Sequence, residues 1–126
     1  EDFPSSRTLQ EDIWGTKLGR GAQDEAVDVR IEGLLAAEID GFDGTTRAGS
    51  MLLAAFRARR VRQSRAVTVN FAGGVTRTCW TVIRSDGCYS VLYLPEAELF
   101  SLCVDSDFGP LDIGVHGKAL DCFASV

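Results

Sequence analysis

The spacing of hydrophobic positions changes once along the chain, from a helical period in the first half to alternation in the second. Between residues 24 and 40, apolar side chains recur at helical spacing: Val27, Ile31, Leu34 and Leu35. Asp24 and Glu25 suit the first turn of a helix, and Gly41 suits its end. Residues 27–32 also alternate as a half-buried strand does. We therefore predict a helix over residues 24–40, with a strand as the alternative.

A second helix is predicted over residues 46–62, where alanine and leucine are frequent. Thr45 or Thr46 can cap its start. Its apolar positions follow an i, i+3, i+4, i+7, i+8 pattern: Ala48, Met51, Leu52, Ala55 and Phe56.

The rest of the chain has the alternation of β-strands. We predict strands over residues 67–71, 76–84, 88–94 and 99–105, and a last hairpin from residues 111–115 and 119–123. The order predicts an α+β fold, with one or two N-terminal helices packed on an antiparallel β-meander. Residues 23–126 form a single domain in this prediction, and residues 1–22 form a partly ordered N-terminal arm.

Two turns predict the strand register and, through it, a disulfide pattern. A two-residue Asp86-Gly87 loop pairs residues whose numbers sum to 173, so that Trp80 faces Tyr93, Val82 faces Val91 and Arg84 faces Tyr89. A turn centred on Pro95-Glu96 then places Cys88 opposite Cys103. We expect a Cys88–Cys103 bond, which leaves Cys79–Cys122 as the second. A one-residue bulge would remove this argument, and buried free thiols in a reducing compartment are the alternative.

Composition places the chain among ordinary soluble domains. It has 126 residues, 13 basic and 18 acidic, and a formal charge of −5. No apolar run is long enough for a transmembrane helix. The chain begins Glu1-Asp2-Phe3-Pro4 without methionine, which fits either a removed leader or a trimmed boundary. Together with the cysteines, this start favours a secreted or periplasmic location, with a cytoplasmic one as the alternative.

Basic residues are concentrated where the second predicted helix ends: Arg57, Arg59, Arg60, Arg62 and Arg65. Such a cluster can dock a carboxylate, a phosphate or an acidic partner. It can equally be a solvated helix end that complements the helix dipole. The absence of interleaved aromatic residues for base stacking argues against nucleic acid as the ligand.

An aromatic sheet face is the second candidate surface. Trp80, Tyr89 and Tyr93 share it with Arg84, and aromatic and arginine side chains are enriched in binding hot spots. If a helix covers this face, the same residues form core instead.

The single histidine, His116, is a candidate for acid–base chemistry. It would need a nucleophile, either a cysteine or a serine such as Ser85 or Ser106, and an orienting acid, Asp112 or Asp121. No nucleophile-elbow motif accompanies these residues. A small hydrolase that uses His116 is therefore an alternative rather than the first interpretation.

The sequence thus predicts a non-enzymatic protein-binding module, such as an inhibitor, an immunity-type protein or an accessory subunit, exported and held by disulfides. We expect no cofactor, no metal site and no catalytic residues. The predicted partner is another protein, and an acidic surface on it would suit the arginines. A cytosolic adaptor that docks an acidic or nucleic-acid ligand through the arginines is a further alternative. The predicted partner-binding residues are the arginine cluster and the aromatic face: Arg57, Arg59, Arg60, Arg62, Arg65, Trp80, Arg84, Tyr89 and Tyr93.

Overall fold

The computed structural model describes residues 22–85 and 87–126. Within them the chain forms three helices and five strands. In chain order these are α1 (Ala22–Asp40), α2 (Arg47–Arg59), β1 (Ala66–Phe71), β2 (Val75–Arg84), β3 (Tyr89–Leu94), β4 (Leu99–Ser106), β5 (Gly109–Gly117) and α3 (Ala119–Ala124), with a 3-10 turn at Ala72–Gly74. The predicted α+β class is confirmed at this level. The arm predicted over residues 1–22 lies outside the described residues, except for Ala22.

Both predicted helices are present, and the second is shorter than expected. The Thr46 hydroxyl caps α2 by accepting the Gly49 N–H at 2.9 Å. The helix ends at Arg59 because Arg60 is extended, with φ −68° and ψ 132°. Residues 60–65 therefore form a link to β1 rather than a last helical turn.

The sheet closes into a barrel in the order β1-β2-β3-β4-β5, which corrects the expected open meander. Consecutive strands are antiparallel, and β1 closes onto β5 in parallel at Asn70 and Leu111. The Asn70 side chain strengthens this seam by donating to the Phe108 carbonyl at 3.0 Å. This side-chain hydrogen bond supplements the short backbone pairing between β1 and β5.

The predicted register holds in part of the first hairpin and is wrong in the second. Trp80 faces Tyr93 as predicted, but a bulge between Thr81 and Ile83 places Arg84 opposite Ser90 instead of Tyr89. The β3–β4 turn is longer than the predicted two residues, so Leu94 pairs with Leu99. Cys103 of β4 consequently pairs with Ser90 of β3 and not with Cys88.

The last predicted strand, residues 119–123, is a helix in the structure. Its apolar run is too short for periodicity to distinguish strand from helix. Glu38 of α1 fixes the start of this helix, α3, because its two carboxylate oxygens accept the N–H groups of Ala119 and Leu120, each at 3.0 Å. The C-terminal segment therefore packs against α1 instead of extending the sheet.

Two apolar clusters lie on the two faces of the sheet. The first is shared with the helices and includes Ile31, Phe56 and Phe123 beside the strand residues Trp80, Tyr93 and Phe100. The second contains only strand residues, Val69, Cys79, Leu92 and Cys103, on the face that barrel closure turns inward. The central strands are consequently buried on both faces, which is why their alternation did not identify an outer side.

Candidate functional site

The arginine cluster lies where α2 passes into β1. Arg57 and Arg59 belong to the last turn of α2, and Arg62 and Arg65 belong to the link that follows. These four residues are exposed, and we call them the arginine surface. Because the chain as a whole carries a charge of −5, this surface concentrates positive charge on an acidic protein.

Arg60, the fifth arginine of the cluster, makes contacts within the fold. It is half-buried, and its guanidinium contacts Glu32 of α1 at 2.7 Å. Its backbone forms a bridge to Ile83 of β2. We therefore leave Arg60, one of the five predicted partner-binding arginines, out of the arginine surface.

The backbone that carries Arg62 and Arg65 is held on both sides. Val61 donates to the Val82 carbonyl at 2.9 Å, and Thr81 donates to the Arg65 carbonyl at 3.1 Å. Between them the buried Ser64 donates its backbone N–H to Asp28 of α1 at 3.2 Å. The two arginines thus project from a fixed backbone, which reduces the entropy lost when they bind a ligand.

A shallow recess opens between these two side chains. It is lined by Arg62, Gln63 and Arg65 and has a volume of about 450 Å³. Guanidinium and amide N–H groups are hydrogen-bond donors, and guanidinium groups pair with carboxylates in two-point contacts. The recess is therefore suited to an anionic group.

The aromatic face predicted as a second binding surface is covered by helices. Trp80 is 3% exposed and Tyr93 is 2% exposed, and both belong to the helix-covered core. Tyr89 is partly buried against the same core, and Arg84 is exposed and paired with Asp105 at 3.2 Å. Trp80 and Tyr93 therefore form part of the core, which was the alternative to a binding surface.

A polar cluster stands on the inward face of the barrel, where β4 meets β5. Ser101 faces His116 across these strands. The Ser101 hydroxyl donates to Asp112 Oδ1 at 2.5 Å, and His116 Nε2 lies 2.7 Å from the same oxygen. The other carboxylate oxygen accepts the Gly114 N–H at 3.2 Å. Asp112 therefore holds the β5 bulge, where Gly114 adopts the left-handed φ of 85°.

In this cluster Asp112, one of the two acids proposed for His116, contacts the histidine directly and also binds Ser101, a serine that sequence reasoning missed. Its order does not suit nucleophilic catalysis, because the Ser101 hydroxyl is bound to the carboxylate instead of the imidazole. Ser101 is also fully buried. The proposed nucleophile Ser106 donates its hydroxyl to the Gly109 carbonyl within the β4–β5 turn. The opposition of Ser101 and His116 depends on the register of β4 and β5, so no local motif could have indicated it.

The four cysteines are free thiols in the structure. Cys88 is exposed whereas Cys103 is buried and faces Ser90, so the register argument for a Cys88–Cys103 bond is wrong. Burial raises the pKa of Cys79 to about 12 and that of Cys103 and Cys122 to about 11. These three buried thiols are thus protonated at neutral pH and poorly suited to nucleophilic chemistry.

Within residues 22–85 and 87–126, no group of three or more histidine, cysteine or acidic side chains is placed to hold a metal ion. In the same part of the chain, no helix is both long and apolar enough to cross a lipid bilayer. We compared the chain with protein-family models, with curated proteins and with solved structures, and no match was found.

Proposed function

We propose that this chain is a non-enzymatic protein-binding module that docks an acidic segment of a partner protein on the arginine surface. The observation that carries the proposal is that two exposed arginines, Arg62 and Arg65, project from a fixed backbone and line one recess. A solvated helix end would not need Arg62 and Arg65, which lie in the link beyond α2.

The chemistry of the surface favours a carboxylate-rich protein segment over nucleic acid. Single-stranded nucleic acid is usually bound by aromatic side chains that stack on bases. The sheet does contain aromatic residues that could stack on bases, but these residues, Trp80 and Tyr93, are buried. The net charge of −5 also opposes a long polyanion once it extends past the arginines.

Two predictions from the sequence stand beside this proposal. The secreted or periplasmic location stays a prediction, and binding through the arginine surface does not depend on it. The hydrolase that uses His116 gains little support from the geometry, because the nearby hydroxyl is buried and bonded to Asp112.

A titration with a defined probe tests the proposal. A fluorescently labelled octa-glutamate peptide is added to the full chain, and its anisotropy is measured at about 50 mM and about 300 mM NaCl. We expect saturable binding that weakens steeply at the higher salt concentration. An uncharged peptide of the same length is the control. Absence of saturable binding at low salt, or tighter binding of a single-stranded oligonucleotide of equal charge, would contradict the proposal.

A further inference from the structure

A second recess lies on another part of the molecule, between α1 and the start of β4. Its volume is about 420 Å³, within the range of about 300–1,000 Å³ that is typical of small-molecule sites. Leu34, Leu99 and Phe100 give it an apolar wall. Lys118, at the entry to α3, stands at its edge. We call this recess the α1–β4 groove.

Two acidic side chains line the groove, and the fold already uses both. Glu38 accepts the N–H groups of Ala119 and Leu120. Glu98 accepts from the Arg30 guanidinium at 2.7 Å. The charge of Glu98 is therefore paired with Arg30, and the Glu38 carboxylate is engaged by two backbone N–H groups, so both carboxylates are already used by the fold.

Lys118 is the opposite case. It is exposed, and within the described part of the chain its ammonium group has neither an ion pair nor a hydrogen bond. It also lines a smaller recess of about 150 Å³, where Phe42 and Leu120 stand beside the acidic residues Glu38 and Asp121. A positive charge without a bonded partner in the described chain thus stands beside the apolar wall of the α1–β4 groove.

The backbone at the groove is held in an unusual conformation. Glu98 is the one non-glycine residue in the described chain with a positive φ, at 53°. Glycine or asparagine would fit this position with less strain. The Glu98 carboxylate reaches Arg30 from here, so the strained residue closes the rim of the groove. Backbone strain of this kind is often found at binding sites.

We infer that the α1–β4 groove binds a small monocarboxylic acid with an apolar body. The carboxylate pairs with the Lys118 ammonium, and the apolar body lies against Leu34, Leu99 and Phe100. This site is separate from the arginine surface, and its occupant is a small molecule rather than an acidic protein segment.

Sodium octanoate is a suitable probe, and amide chemical shifts of the isotopically labelled full chain report where it binds. We expect saturable shifts centred on Leu34, Leu99 and Lys118, with a dissociation constant of about 1 mM or below. Octylamine, which has the same tail and the opposite charge, should bind at least about threefold more weakly.

Two neighbouring alanines of α1 provide matched variants. Ala37 lines the groove and Ala36 does not, and both are exposed on the helix. Ala37→Trp should abolish the octanoate shifts, whereas Ala36→Trp should leave the dissociation constant within about twofold of the parent. Lys118→Gln should weaken octanoate about threefold to fivefold and leave octylamine unaffected or slightly tighter.

The inference is overturned if octanoate produces no saturable shifts, if the shifts centre elsewhere, or if Ala36→Trp and Ala37→Trp act alike. Equal binding of octanoate and octylamine, or an unchanged affinity of Lys118→Gln for octanoate, would overturn the assignment of Lys118 as the carboxylate partner.

Discussion

The indole N–H of Trp80 donates to Asp24 Oδ1 at 2.8 Å, so the first turn of α1 is bound to the strand whose aromatic face this helix covers. The helix buries few apolar side chains completely, namely Ile31 and Leu35. Polar contacts secure the rest of its length. Besides Asp24 with Trp80, these contacts join Asp28 to Ser64, Arg30 to Glu98, Glu32 to Arg60, and Glu38 to Ala119 and Leu120.

Replacement of Asp24 by alanine should lower the free energy of unfolding by about 1–3 kcal/mol, because it leaves the part-buried Trp80 N–H without this acceptor. Glu25→Ala is the matched control, since Glu25 is also an acidic residue of the first turn but is exposed. Urea unfolding of both variants measures the difference. Equal losses would show that the effect comes from the helix dipole and not from the bond to Trp80.

The thiols should divide into one reactive and three protected groups. In the folded chain, Ellman's reagent should modify Cys88 quickly and leave the buried Cys79, Cys103 and Cys122 unmodified. All four should react after unfolding without a reductant. If the unfolded, unreduced protein instead shows a mass lower by four hydrogens and no reactive thiol, then the cysteines pair in solution, and a peptide map would identify the partners.

Alkaline pH should destabilise the fold through the same buried thiols. Their pKa values are raised in the folded state, to about 12 for Cys79 and about 11 for Cys103 and Cys122, from a usual value of 9.0. Between pH 9 and pH 11 the unfolded chain therefore releases protons that the folded chain retains, so the free energy of unfolding falls as pH rises. Below pH 9 this contribution to the pH dependence should vanish.

Denaturant titrations at several pH values should show this decline. Cys79→Ala, which removes one of the titrating groups, should give a shallower decline than the parent chain. An identical slope in the variant would contradict the assignment to Cys79.

Asp112 should contribute more to the free energy of unfolding than His116 does. Asp112→Ala removes the acceptor of three hydrogen bonds and leaves the buried Ser101 hydroxyl without it. We expect a loss of about 2–3 kcal/mol in the free energy of unfolding. His116→Ala removes one contact of a side chain that is 40% exposed, and it should cost about 1 kcal/mol or less. A larger loss for His116→Ala would contradict the central role of the carboxylate.

The helices were predictable because their signals are local. Thr46 accepts the Gly49 N–H three positions ahead, and the apolar period after it is carried by helix formers. Trp80 lies opposite Tyr93 as predicted, although the pairs nearer the turn are shifted by one residue by the bulge between Thr81 and Ile83. In contrast, the sequence did not show whether these two aromatic side chains face the core or the solvent, because β2, β3 and β4 carry apolar residues on both sides.

The second hairpin and the polar cluster depend on features that leave no sequence signature. A left-handed residue in a hairpin turn is usually glycine or asparagine, and the residue at this position is Glu98. Its turn length therefore went unrecognised, and the predicted pairing of Cys88 with Cys103 failed with it. The arginines were visible in the sequence, but the separation of Arg60 from the others depends on Glu32, which lies far away along the chain.

The central claim is that Arg62 and Arg65 bind an acidic segment, and a comparison of two double variants tests it most directly. Arg62→Gln with Arg65→Gln removes two charges from the arginine surface. Arg77→Gln with Arg84→Gln removes two charges from exposed sheet arginines that pair with Glu96 and Asp105. Both variants have the same net charge, so the comparison separates the effect of the arginine surface from that of net charge.

The labelled octa-glutamate peptide is titrated into each double variant at low salt. We predict that the first variant binds it about tenfold more weakly than the parent and that the second stays within about twofold. Equal weakening in both variants would mean that net charge alone attracts the peptide. An unchanged affinity in the first would place the binding surface elsewhere, and either result would contradict the proposed function.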